Sequence, residues 1–357
     1  MTNQVIECRN LWKVFGDKQQ AAMEAIQSEG LSKTQIFEQF QCVVGVQNVS
    51  FSVSEGEIFC IMGLSGSGKS TLIRHVNRLI EPSAGQVLIE GTDINGMSVS
   101  ELRSVRATKI GMVFQNMALL PHRSVADNVS LGLELRGEEE GKCRSVAEEI
   151  LTRVDLAGWG DRFPDELSGG MKQRVGLARA LAADPPILLM DEPFSALDPL
   201  IRRDLQTEFM RLAAEMGKTT LFITHDLDEA IRIGNRIAIM KDGTLIQTGT
   251  PEDIVTNPQD GYVADFVAGI SRLNLVTAAK IMETPEAYTL HSGPFTEDGA
   301  STAKPDDKLD TLVSLAAQKE GPILIRDTGK TVGVVSIRSL LSGIQSSSST
   351  LQENDHG

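Results

Sequence analysis

Gly63-Leu64-Ser65-Gly66-Ser67-Gly68-Lys69-Ser70 follows directly on the apolar run Ile58-Phe59-Cys60-Ile61-Met62. The eight residues fit the pattern G-x-x-x-x-G-K-[ST] without a mismatch. A triphosphate is a dense anion, and holding it needs backbone N–H groups that converge with no side chains in the way. Gly63, Gly66 and Gly68 allow that approach, and a helix beginning at Lys69 would turn its positive end toward the phosphates. Lys69 would reach the β- and γ-phosphates, and Ser70 would place its hydroxyl on Mg²⁺.

Working outward, a second short stretch stands about a hundred residues on: Leu167-Ser168-Gly169-Gly170. Ser168 is a good helix N-cap, and Gly169 and Gly170 leave the next amides bare. Alone, four such residues describe an ordinary capped helix. Their place between the phosphate loop and an acidic strand end gives them weight. That strand is Ile187-Leu188-Leu189-Met190, a wholly apolar run suited to the middle of a parallel sheet. Asp191 follows it and can hold Mg²⁺ through its water shell. Glu192 comes next and can polarise an attacking water as general base. His225 stands just after another apolar run, 219–223, at a strand end that would line the ligand crevice. Gln115, after Met112-Val113-Phe114, is a neutral side chain able to touch metal and water, and Phe15 is an aromatic able to stack on adenine.

Composition narrows the class. The chain has 357 residues and a formal net charge of −14, which argues against non-specific nucleic-acid binding as its main task. Cys8, Cys42, Cys60 and Cys143 are far apart and form no CxxC pair, so they read as reduced thiols of a cytosolic protein. The first ten residues lack an apolar stretch of signal-peptide type. No run approaches the ~18 apolar residues of a membrane helix. Work at a membrane would need other chains to span it.

Strands alternating with helices predict an α/β core. A short strand opens the chain, with a turn at 13–16. Residues 17–44 read as a helical insertion, one helix ending at Gly30 and a second capped by Ser32. Strands flank the Glu55-Gly56 turn, and the phosphate-loop helix is expected over 69–80. Lys241-Asp242-Gly243 signals a hairpin between 237–240 and 244–247. Past about residue 270 the composition changes. Residues 283–308 read as loop, and a helix, two strands and a short helix follow over 309–344. The serine-rich tail 346–357 is expected to be disordered.

Together these motifs resemble the nucleotide-binding subunit of ATP-binding-cassette transporters, over roughly three-quarters of the chain. The resemblance implies a P-loop ATPase cassette with a mixed sheet over 1–270, carrying a helical subdomain at about 116–180. It implies a head-to-tail homodimer with two ATPs between the subunits. Each ATP would meet Phe15, Gly63, Ser65, Gly66, Gly68, Lys69, Ser70 and Thr71 of one chain and Ser168, Gly170 and Asp198 of the other. Mg²⁺ would sit on Ser70, Gln115 and Asp191, with Glu192, His225 and Gln115 serving catalysis. Transmembrane permease subunits would dock near 115–122, on the cytoplasmic face of a bacterial inner membrane, fed by an extracytoplasmic substrate-binding protein.

Within that family the insertion 17–44, the run 58–78 and Asn77-Arg78-Leu79-Ile80-Glu81-Pro82 resemble importers of quaternary amines such as glycine betaine, proline betaine and choline. Importers of histidine, methionine or polyamines, and soluble cassette ATPases, are the other readings. Residues 271–345 resemble one half of a cystathionine-β-synthase-type (CBS) regulatory pair, a small α+β unit, with Ser339 where nucleotide-binding members usually carry aspartate.

Overall fold

The structure, a computed structural model, describes residues 3–297 and 299–345, so the expected disorder of the tail lies outside the described residues. Contacts divide the chain into two units, 1–250 and 251–357. The expected boundary near 270 therefore moves toward the N-terminus. The helices Pro251–Thr256 and Gly261–Val267 belong with the second unit. The Glu252 carboxylate accepts from the Thr277 N–H at 2.7 Å, Lys280 pairs with Asp253 at 2.9 Å, and Arg272 donates to the Val255 carbonyl at 3.0 Å.

In the first unit the strands are β1 (Gln4–Phe15), β2 (Val43–Ser54), β3 (Ile58–Met62), β4 (Ala84–Ile89), β5 (Thr92–Asp93), β6 (Ile110–Val113), β7 (Ile187–Asp191), β8 (Thr219–Thr224), β9 (Arg236–Lys241) and β10 (Thr244–Gly249). Six form a sheet in the order β10-β9-β3-β8-β7-β6, parallel except for β10, which returns antiparallel through the expected hairpin. Four more form an antiparallel sheet, β2-β1-β4-β5. β1 is a long strand that continues through Phe15, so the turn expected at 13–16 shrinks to Gly16, where φ is +134°.

The two sheets share one apolar core. Ile6, Val53 and Val87 of the antiparallel sheet cluster with Phe59, Ile61, Leu189 and Leu221 of the parallel one. Phe51 and Phe59 stack across it, centroids 5.4 Å apart. Each such aliphatic side chain, fully buried, contributes about 1.5–3 kcal/mol. β3, β7 and β8 are central and covered, which is why each carries an apolar run, 58–62, 187–190 and 221–223. Their C-terminal ends point the same way. The loop 63–70, the pair Asp191-Glu192 and His225 therefore arrive at one sheet edge.

Within 116–180 the helices Val125–Leu135, Glu140–Arg153 and Gly169–Ala182 pack on one another. The helix after the phosphate loop is Lys69–Val76, shorter than expected: Asn77 caps it, and Arg78 turns left-handed at φ +52°. The insertion forms the helices Gln19–Glu29 and Lys33–Phe40, the second opened by a capping box between Ser32 and Gln35.

The second unit holds β11 (Ser301–Ala303), β12 (Ile323–Asp327) and β13 (Lys330–Val335) in one sheet, with Leu309–Gln318 and Ile337–Ile344 as helices. The loop expected over 283–308 contains β11 and a helix, Pro285–Ser292, whose Thr284 hydroxyl caps the Ala287 N–H at 3.2 Å. Proline at the first helical position starts a helix rather than breaking one. Ser339 donates to Glu283 at 3.0 Å.

Candidate nucleotide site

The phosphate loop is shaped by three glycine conformations, Gly63 at φ +156°, Gly66 at +81° and Gly68 at +103°. At Gly68 the left-handed backbone is backed by crowding: a Cβ there would stand 2.5 Å from the Gly45 carbonyl oxygen. Lys69 is 4% exposed, and its ammonium donates to the carbonyls of Gly63 at 2.8 Å and Leu64 at 3.0 Å. Burial pushes this lysine below its ordinary range, while Glu192 and then Asp191 push it back up. The ammonium thus rests on its own loop's acceptors. The Ser67 hydroxyl beside it is buried with no hydrogen-bond partner. An anion seated in the loop would complete both groups.

Around Lys69 the structure assembles a contiguous polar set. Ser70 Oγ donates to Asp191 Oδ1 at 2.8 Å. Arg74, one turn along the same helix, reaches Asp191 Oδ2 at 3.4 Å. Glu192 Oε1 lies 3.9 Å from Lys69 Nζ, and its Oε2 is 3.0 Å from His225 Nδ1. Glu192 adopts a left-handed backbone, φ +47°, a conformation that costs a non-glycine residue energy and recurs at functional sites. Its N–H donates to the Ile223 carbonyl at 3.0 Å, which ties the turn after β7 to β8 and so sets Glu192 against His225.

Phe15 is partly exposed at the end of β1, packed on Gly45, where a Cβ would stand 2.8 Å from its ring. Thr71 follows Ser70 in the first turn of the helix Lys69–Val76. Ser65 is exposed at the loop's outer side. Gln115 is exposed in the turn after β6 and makes no hydrogen bond to Ser70, Asp191 or Glu192.

Ser168, Gly170 and Asp198 gather in a second cluster. Ser168 Oγ accepts from the Met171 N–H at 3.4 Å, and Asp198 Oδ1 accepts from the Ile201 N–H at 3.2 Å, each capping its own helix. A Cβ on Gly170 would meet Ile201 at 2.9 Å, so the two caps are neighbours. Leu200 beside them is 77% exposed.

Three arginines that the sequence reading passed over hold these parts in place. Arg74 lies four residues after Ser70 on a helix, so it was readable from spacing. Arg179, on the helix that Ser168 caps, donates to the carbonyls of Met117 at 2.5 Å and Ala118 at 2.6 Å and fixes the turn after Gln115. Arg202 donates to the Leu197 carbonyl at 3.0 Å and pairs with Asp226 at 3.2 Å, next to His225. No local pattern marks those two. A groove of about 520 Å³ adjoins the Gln115 turn, lined by Ile110, Met112, Phe114, Leu131, Leu135 and Ala180. Leu135 is 76% exposed there. Among the described residues no helix is long and apolar enough to cross a membrane.

The ABC transporter family profile matches residues 46–195. The glycine betaine/proline betaine transport system ATP-binding protein ProV of Escherichia coli (strain K12) is 48% identical, over 94% of this chain and 81% of that one. The trimethylamine N-oxide transport system ATP-binding protein TmoW of Ruegeria pomeroyi is 44% identical, over 94% of this chain and 95% of that one. Among solved structures, a dimeric ATP-binding cassette in a post-hydrolysis state, bound to ADP and Pi, superposes with a TM-score of 0.58. It is 32% identical and covers 69% of this chain and 98% of that one. Phosphate loop, capped glycine pair, acidic strand end and these relatives agree: this chain belongs to the ATP-binding subunits of ABC transporters.

Proposed function

We propose that this chain hydrolyses ATP to energise import of a glycine betaine, proline betaine or choline-type osmoprotectant. The observation that carries the chemistry is the unbroken polar set Lys69, Glu192 and His225, with Ser70 and Asp191 beside it. ATP would lie with its adenine on Phe15 and its phosphates on 63–71, where Lys69 exchanges loop carbonyls for phosphate oxygens. Ser70, Asp191 and Gln115 would hold Mg²⁺, whose chemistry is to neutralise phosphate charge. A hydroxyl, a carboxylate and an amide suit that hard cation, which keeps several waters. Glu192 takes the proton of the attacking water, and His225 Nδ1 holds the Glu192 carboxylate in place.

The second cluster supplies the other half. Ser168 and Gly170 present bare amides suited to a γ-phosphate held by a partner copy, with Asp198 alongside, so two chains arranged head to tail would close two sites. ATP bridges the copies and closes the pair. Hydrolysis removes the bridge and lets it open. The apolar groove beside Gln115 is read as the seat of a short cytoplasmic helix of a permease subunit. Arg179 links that groove to the helix capped by Ser168, so motion of one is felt by the other. The chain then works peripherally on the cytoplasmic face of the membrane, and 271–345 serves as a CBS-like accessory domain.

The solute rests on likeness to proteins named for glycine betaine and proline betaine transport. A second reading, trimethylamine N-oxide, rests on likeness to a protein named for trimethylamine N-oxide transport, 44% identical over 94% of this chain. The test is reconstitution of the full chain with its own membrane and binding subunits. Glycine betaine should raise ATP turnover several-fold above the solute-free rate. Stimulation by trimethylamine N-oxide alone would transfer the assignment, and stimulation only by histidine or a polyamine would sink both.

A further inference from the structure

The helical insertion between β1 and β2 is a sequence feature that the ATPase chemistry leaves unused. It is a packed element with its own core, Val14, Ala22, Met23, Ile36, Cys42 and Val44. Its second helix begins with Lys33, fixed by the Ser32–Gln35 capping box. A cation in the first helical turn opposes the helix dipole, so local structure does not account for it. The tertiary structure does. Lys33 Nζ donates to the main-chain carbonyl of Asp242 in the β9–β10 hairpin turn, across 209 residues of sequence. Asp242 itself is held left-handed, at φ +46°.

That turn bears directly on the phosphate loop. The Gly243 N–H donates to the Ser67 carbonyl at 2.9 Å, and the Gly243 carbonyl accepts from the Gln47 N–H at 2.8 Å. Three glycine backbones stack here with no room for side chains. A Cβ on Gly243 would lie 2.8 Å from the Gly45 carbonyl oxygen and 3.2 Å from Lys33 Nζ. One on Gly68 would lie 3.5 Å from Gly243 Cα. Main chain therefore runs from Lys33 to the phosphate loop with no flexible side chain in between. Burial lowers the Lys33 pKa, and the Asp242 carboxylate raises it.

We infer that Lys33 is a positioning residue for nucleotide binding: it clamps the 241–243 turn against the phosphate loop and holds the amides of 66–68 ready for the phosphates. The insertion thereby sets ATP affinity, while the hydrolytic groups stand on other elements. This rests on the reading that 63–70 binds ATP.

The test compares the full chain with Lys33→Met, which keeps the stem and deletes the donor, and with Lys33→Arg. A hydrogen bond to a charged group supports an effect of about ten-fold. Lys33→Met should raise KM for ATP about ten-fold with kcat within two-fold, and Lys33→Arg should recover most of the loss. An unchanged KM in Lys33→Met, or a fall in kcat at constant KM, overturns the inference. A Lys69→Ala control separates the two layers. If it retains normal ATP binding, the phosphate-loop reading itself fails. If it loses binding while Lys33→Met does not, only the clamp fails.

Discussion

The phosphate loop and the capped glycine pair are both helix N-termini opened by small residues, yet they are finished to different degrees. Lys69 is buried among Glu192, Asp191 and its own loop's carbonyls, and every charge there has a neighbour. Ser168 caps the Met171 N–H of its own helix, with Gly170 against Ile201 and the exposed Leu200 nearby. The contrast is what the proposed sharing of one reaction centre between two copies of the chain would require; the solved cassette it superposes on is dimeric.

Three changes put pressure on that contrast. The largest effect belongs to Ser168→Arg, which places a long cation over the bare amides. Turnover should be abolished while nucleotide still binds at Lys69, read by filter binding beside phosphate release. Normal hydrolysis would reduce the motif to an ordinary helix cap. Next, Glu192→Gln removes the proposed general base. Turnover should drop roughly 10²–10⁴-fold, the usual worth of positioned proton transfer. ATP should still bind, and the variant should accumulate as a closed dimer. A monomer by light scattering with ATP and Mg²⁺ would break the two-copy account.

The smallest effect is one of stability and should be confined to the phosphate-loop half. His75, on the helix Lys69–Val76, is fully buried, and its Nδ1 donates to the Ile80 carbonyl at 2.7 Å. Burial pushes its pKa below 6.5, opposed by the Ile80 hydrogen bond and assisted by Lys13. The unfolded chain therefore takes up the proton first as pH falls. This contribution is whole above about pH 6.5 and is lost progressively below it. Tm should decline by a few degrees between pH 7 and 5, and His75→Asn should flatten the slope. An identical slope in the variant would assign the acid sensitivity elsewhere.

The polar set around Lys69 was legible because each member is tied to a strand end or a helix start. Spacing along such elements fixes which groups share an edge. Thr284-Pro285 shows the opposite outcome. The signal for a helix was present, an N-cap followed by proline, but it was outweighed by a composition rich in loop formers. Arg179 and Arg202 left no trace in the sequence. Arg179 bonds main-chain carbonyls, which every residue carries, and Arg202 adds to such a carbonyl a carboxylate 24 residues away, Asp226.

By itself the sequence determined the phosphate-loop pattern, the alternation of strands and helices and the family, since phosphate binding and parallel strands impose local patterns. Only the tertiary structure decided where the two units part, that His225 meets Glu192, and that an inserted helix reaches the phosphate loop through Lys33 and Asp242. Those are pairings between distant segments. They depend on how buried surfaces fit together, and no short stretch of chain encodes them.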